Sequence, residues 1–278
     1  MCQFDRDRIY HFEPPVDNPP RYALSDLQMP DRRVALSLLA HPDDAEFVCG
    51  GTLCRLAEAG WEIHIATATP GDCGTMELSQ EQIAEIRRKE GAAAAALIGA
   101  TFHCLEERDV NVIFDQATGK KAIDLFRKVA PTLVFAHPRL DYMLDHEQTH
   151  LLARRAAFAY PAPNASKLPR LEGSQVPWLY YCDPIGGVNP YSGEKVDATC
   201  RIDITEQFGK KTEMLVCHAS QREWLQAHHG MDEYVEAMKR HSAMRGDELA
   251  VEYAEAFVQH MGHPYPTTDL LTELFGEK

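Results

Sequence analysis

The chain has 278 residues, 45% hydrophobic and 25% charged, with a formal net charge of −14. It is long enough to bury a substantial core. The charge argues against a nucleic-acid partner, which needs a basic face, and no apolar run reaches the roughly 20 residues that cross a bilayer.

Residues 1–32 carry Pro14-Pro15, Pro19-Pro20 and Pro30, which break helices and central strands. They read as an extended arm against the rest of the chain or a neighbouring subunit, a hint of a homo-oligomer. Residues 33–278 read as one domain. Met1-Cys2-Gln3-Phe4-Asp5 lacks a signal-peptide pattern. The eight cysteines include no C-x-x-C pair, so a thiolate zinc site is not expected and a reducing, cytoplasmic setting is.

From residue 33 strands and helices alternate. Strands are expected at 34–40, 61–69, 101–105, 132–136, 178–182 and 199–204. Helices are expected at 45–60, where Phe47, Val48, Leu53, Leu56 and Ala57 form an apolar stripe, and from a Ser79/Gln82 capping box to about 98. Further helices are expected at 120–130, 146–159, 208–228, 231–244 and 249–261. The alternation predicts an α/β, Rossmann-like three-layer sandwich with a mainly parallel sheet and extra C-terminal helices.

The most informative segment is Ala40-His41-Pro42-Asp43-Asp44, directly after the first apolar strand. It places an imidazole and two carboxylates at the carboxyl edge of the sheet, where open α/β folds bind ligands. His and Asp are ordinary zinc ligands, and a spare carboxylate beside them can handle protons.

The chain resembles the LmbE-like, or PIG-L, zinc deacetylases. The resemblance rests on Ala40–Glu46 with Gly50-Gly51-Thr52, the loop Thr67–Gly74, Ile86–Glu90 and Asp141–His146. It continues through Ile202–Thr205, Lys210-Lys211, His218–Gln221 and Tyr253–Phe257, and so covers about residues 33–260 in order. It implies removal of the acetyl group from an N-acetylated amino sugar, a small-molecule substrate. It also implies His41, Asp44 and His146 as ligands of one Zn2+ per chain; Fe2+ suits the same ligands. Asp43 is implied as general base and then acid.

Amide hydrolysis needs activated water, a polarised carbonyl and a proton for the leaving nitrogen. A cation with three protein ligands and an open position supplies the first two. Asp43 and Asp44 are adjacent and point in different directions, which leaves Asp43 free for the proton. Either could also cap the following helix. His150 lies four residues beyond His146 on the same helical face and is its rival. Asp145 is expected to orient His146 from behind. The resemblance implies Arg87 or Arg88, and Asp109, near the substrate; His218 is a further candidate there. Most of Trp178, Trp224, Tyr180 and Tyr181 are expected to pack in the core.

One position departs from the family pattern. Met143 stands where a histidine usually assists the oxyanion, and His218 or His137 could replace it. The departure keeps a second reading open, a zinc-dependent hydratase of an unsaturated dicarboxylic acid. A third is a non-catalytic metal-binding protein, against which the spare Asp43 argues.

Overall fold

A computed structural model describes residues 32–221 and 233–276. Residues 1–31 of the N-terminal arm, residues 222–228 of the helix expected over 208–228, and with them Trp224, lie outside the described residues. Seven strands form one mixed sheet in the order β3-β2-β1-β4-β5-β7-β6. They are β1 Val34–Leu39, β2 Glu62–Thr67, β3 Thr101–Cys104, β4 Leu133–Ala136, β5 Trp178–Cys182, β6 Cys200–Asp203 and β7 Ala254–Gln259. The first five run parallel, while β7 is antiparallel to both β5 and β6. β1 is buried along its whole length, as a strand covered by helices on both faces must be.

The helices are α1 Asp44–Val48, α2 Gly50–Glu58, α3 Gln80–Ala96, α4 Gln116–Val129, α5 Leu144–Ala159, α6 Phe208–Val216, α7 Glu233–Leu249 and α8 Leu270–Phe275. Two apolar clusters complete the layers. Leu53, Ile65, Phe135 and Phe257 belong to one; Leu36, Phe126, Leu152 and Leu179 belong to the other. No helix among the described residues is long and apolar enough to cross a membrane.

Local chemistry explains most boundaries. Ser79 caps α3 with the expected box: Gln82 N–H donates to its hydroxyl (3.3 Å) and Ser79 N–H to Gln82 Oε1 (2.9 Å). α4 begins four residues earlier than expected, because Asp115 accepts the Thr118 amide at 2.8 Å.

Three expectations are corrected. The helix expected over 208–228 ends at Val216. The helix expected over 45–60 is broken at Cys49 into α1 and α2. The Gly51 and Thr52 amides donate to the two Glu255 oxygens at 2.8 and 2.7 Å, so a buried carboxylate fixes a new helix N-terminus. The helix expected over 249–261 is instead the end of α7 followed by β7. Its Ala and Glu content favours helix, but the segment inserts between β5 and β6, and ladder hydrogen bonds with burial override propensity.

Candidate metal centre

The strand order reverses between β1 and β4, the usual crevice of open α/β sheets. His41 follows β1 and His137 follows β4, so both stand at this switch point. His146 comes from the first turn of α5. Residue 43 carries the sharpest backbone feature: Asp43 has φ 107°, uncommon for a non-glycine residue and strained. It sits at the N-cap position of α1 without a side-chain cap bond. The turn sends adjacent carboxylates to different partners, Asp44 toward the histidines and Asp43 toward Arg87.

His41, Asp44 and His146 converge on one point. His41 Nδ1 lies 3.3 Å from His146 Nε2 and 3.4 Å from Asp44 Oδ2, and His146 Nε2 lies 3.6 Å from Asp44 Oδ1. Bonds of about 2.0–2.1 Å to a tetrahedral ion hold ligand atoms about 3.3–3.4 Å apart. The observed edges fit that spacing, and the donor set suits a divalent cation. His150 is elsewhere: its Nδ1 pairs with the His137 carbonyl oxygen at 2.9 Å and its ring packs against Tyr181.

The far side of each imidazole meets acid. His41 Nε2 lies 3.0 Å from Asp109 Oδ1 and 3.4 Å from Asp145 Oδ2. His146 Nδ1 lies 3.0 Å from Asp141 Oδ1. Carboxylates behind metal-binding imidazoles orient the rings and raise their basicity. The partners differ from the sequence expectation, for Asp145 stands behind His41 and Asp141 takes the place behind His146. Asp145 also accepts the Val110 and Val112 amides at 2.7 and 3.2 Å, which ties the loop after β3 to α5. Burial presses the His41 pKa down, but Asp109, Asp145 and Asp44 outweigh it and hold it well above the ordinary value.

Arg87 answers the Arg87/Arg88 alternative. It is buried, its Nη2 donates to the Pro42 carbonyl (2.8 Å) and Asp43 Oδ2 (3.1 Å), and its Nη1 donates to the Gly71 carbonyl (3.3 Å). Arg88 pairs with Glu106 at the surface. A Cβ on Gly71 would lie 2.1 Å from Arg87 Nη1, so this glycine permits the close approach. Burial raises the Asp43 pKa to about 6, against the pull of Arg87 and with help from Asp44.

Asp109 is engaged by His41 and by the Cys73 amide at 3.2 Å. His218 is fully buried, its Nε2 3.5 Å from Glu46 Oε1. It does not line the cleft over the three ligand candidates; His137 and Met143 do. The His137 Nε2 accepts the Ala40 amide at 2.9 Å and stands 3.2 Å from Asp44 Oδ2. The aromatic residues after β4 have structural tasks: Tyr180 OH donates to Asp269 (2.9 Å), Trp178 Nε1 donates to the Thr268 carbonyl (3.0 Å) and Tyr181 OH pairs with His260.

The cleft encloses about 510 Å³ and is lined by the three ligand candidates with Asp43, Arg87, Asp109, Asp141 and Asp183, and by Phe47, Tyr142, Met143 and Tyr234. Sequence reasoning gave no role to Asp141, Asp183 or Tyr234. Asp141 lies five residues before His146 and reaches it only through the turn that starts α5; Asp183 follows β5 directly and Tyr234 opens α7, so neither is near the motif in sequence.

An α/β sheet with a His/Asp/His pocket at its switch point defines the class, and comparison with known proteins narrows it. Residues 36–157 match the family model PIG-L, GlcNAc-PI de-N-acetylase. Over that segment the chain is similar to the PIG-L/LmbE family. It is 26% identical over 203 residues to the diacetylchitobiose deacetylase of Thermococcus kodakarensis, covering 69% of this chain and 71% of that one. It is 26% identical over 200 residues to the 4-oxalmesaconate hydratase of Pseudomonas putida, covering 68% and 74%. The solved N,N'-diacetylchitobiose deacetylase of Pyrococcus horikoshii matches with a TM-score of 0.70 at 26% identity, covering 86% of this chain and 89% of that one.

Proposed function

We propose that this chain is a zinc-dependent hydrolase that removes the acetyl group from an N-acetylated amino sugar. The observation that carries this reading is the His41/Asp44/His146 cluster at tetrahedral edge distances, its two imidazoles buried, with a further carboxylate, Asp43, held beside it in the cleft by Arg87. A divalent cation held by those three residues supplies Lewis acidity toward water and toward the amide carbonyl. Asp43 takes the proton from the attacking water as the oxygen bonds to the carbonyl carbon. It then returns that proton to the nitrogen as the C–N bond breaks, leaving acetate and a free amine. Arg87 keeps Asp43 aimed into the cleft. Asp109, Asp141 and Asp145 hold the two imidazoles in register.

The hydratase reading has the Pseudomonas relative in its favour. A dicarboxylate substrate, however, needs cations to receive its two acid groups. Among the described cleft residues the cation is Arg87, and it is already bound to Asp43 and two carbonyls, while the acids number at least five. A neutral, hydroxyl-rich sugar meets no such repulsion.

The test is acetate release from N-acetylglucosamine derivatives, with metal content measured on the same preparation. Asp43→Asn is the control. Zinc-dependent acetate release that is abolished in the Asp43→Asn variant supports the proposal. Hydration of an unsaturated dicarboxylate without any acetate release would replace it.

A further inference from the structure

Three loops meet at the mouth of the cleft, and each repeats one arrangement. After β3, Asp109 is buried and Val110 is 66% exposed; after β4, Asp141 is buried and Tyr142 is 61% exposed; after β5, Asp183 is buried and Ile185 is 46% exposed. All six residues line the same cleft. The acids anchor the loops. Asp109 is held by His41 and the Cys73 amide, Asp141 by His146 and the Tyr142 amide (2.7 Å), and Asp183 by a two-pronged pair with buried Arg245 (2.7 and 2.8 Å). An apolar side chain one or two residues further on is thereby presented from fixed backbone.

Val110 adds an independent sign. It has φ 64°, a left-handed conformation that is a genuine outlier for a β-branched residue. Its amide donates to buried Asp145 Oδ2 at 2.7 Å, which holds the strained turn in place. Strain kept at a cleft points to a task there. Apolar surface left in water is unfavourable, and an apolar rim around a polar centre marks a ligand-binding surface.

Building on the deacetylase reading, we infer that the acetylated sugar carries an alkyl or aryl aglycone, and that Val110, Tyr142 and Ile185 form the collar that receives it. The layers set the order of the substrate. The amide carbonyl belongs at the His41/Asp44/His146 floor. Tyr142 packs edge-on against His146, with ring centroids 5.3 Å apart, and so flanks the floor; Val110 and Ile185 are exposed beside buried Asp109 and Asp183 and stand on the solvent side, so the apolar part lies at the end of the substrate farthest from the amide. The acetyl methyl, bonded to the reacting carbon, stays at the floor. The acids behind the collar disfavour an anionic substituent and leave a neutral apolar one unopposed.

The experiment compares kcat/KM for acetate release from the methyl and octyl glycosides of N-acetylglucosamine, with the octyl compound below its micelle-forming concentration. It uses the full chain and a Val110→Asn, Ile185→Thr double variant; Asn tolerates positive φ, and a thermal melt checks the fold. The octyl compound is expected to exceed the methyl one at least tenfold, and the ratio is expected to fall below threefold in the variant. Equal rates for both glycosides in the unmodified chain would overturn the collar and leave deacetylation standing. A preference that survives in the variant would also overturn it. So would a preference for N-octanoylglucosamine in place of the octyl glycoside, or a variant altered in oligomeric mass alone. Failure to release acetate from either glycoside would instead remove the deacetylase reading, and the collar with it.

Discussion

Replacing Arg87 separates two roles that a cleft arginine can play. Its guanidinium donates to Asp43 at 3.1 Å, to the Pro42 carbonyl at 2.8 Å and to the Gly71 carbonyl at 3.3 Å, all out of contact with bulk water. In Arg87→Ala the Asp43 charge is left buried without its partner, a loss of about 3–5 kcal/mol. At roughly 2 °C per kcal/mol for a chain of this size, the melting temperature should fall by about 6–10 °C. Arg87→Lys keeps the charge but not the planar fork, so it can no longer bridge Asp43 and both carbonyls at once. The fold should survive with a smaller drop in melting temperature. Asp43 should lose its aim, and a displacement of about 1 Å in a catalytic group can cost about 100-fold. The expected result is a kcat reduced by about 10- to 100-fold with KM within about threefold of the unmodified value. Steady-state acetate release and a thermal melt on each variant measure both quantities. A Lys variant with unchanged kcat and a strongly raised KM would refute the argument, because it would mean that Arg87 grips substrate instead of positioning Asp43.

Other outcomes follow from the same contacts. His41→Ala should lose both metal and activity, whereas Asp43→Asn should retain metal by elemental analysis and lose activity; equal metal content in the two proteins would count against the ligand assignment. Gly51→Ala should be destabilised by about 1–3 kcal/mol in urea unfolding, because its Cβ would lie 2.7 Å from the Ile204 Cβ. Desolvation pushes the Glu248 pKa up, but hydrogen bonds from Lys195, Arg201 and Arg245 outweigh it and depress the value to about 2. A depressed carboxylate contributes stability above its unfolded pKa and loses it as pH falls through the folded value. Glu248→Gln should therefore cost on the order of 1 kcal/mol at pH 7, because solvent screens these partly exposed ion pairs, and the gap should narrow steadily from about pH 5 toward pH 2; a pH-independent gap would show that the ion pairs are not its source.

The legible parts of this chain are those whose causes are local. The Ser79 box, the apolar run of β1 and the His41–Asp44 turn each draw their structure from residues within a few positions, and each is readable from sequence. The strand β7 is not, because Ala254–Gln259 has Phe257 and Val258 as strand formers while the rest is Ala, Glu and Gln. Its state is set by Phe257 pairing with Cys182 on one side and Cys200 on the other, and by buried Glu255 meeting Lys211 at 2.6 Å and the start of α2. The same distinction divides the site. The ligand candidates announce themselves because two of the three are three residues apart. Their supporting carboxylates are distributed by the fold: Asp109 and Asp145 reach His41 from 68 and 104 positions away. Asp145 immediately precedes His146, yet a neighbour on a helix points about 100° away, so adjacency argued for a contact that helical geometry forbids. Asp141 lies outside α5, before its N-cap Met143, and only from there can a carboxylate turn back onto His146 Nδ1. Sequence therefore reads which atoms can bind an ion, while the sheet, by bringing the ends of β1, β3 and β4 together, decides which acids hold those atoms still.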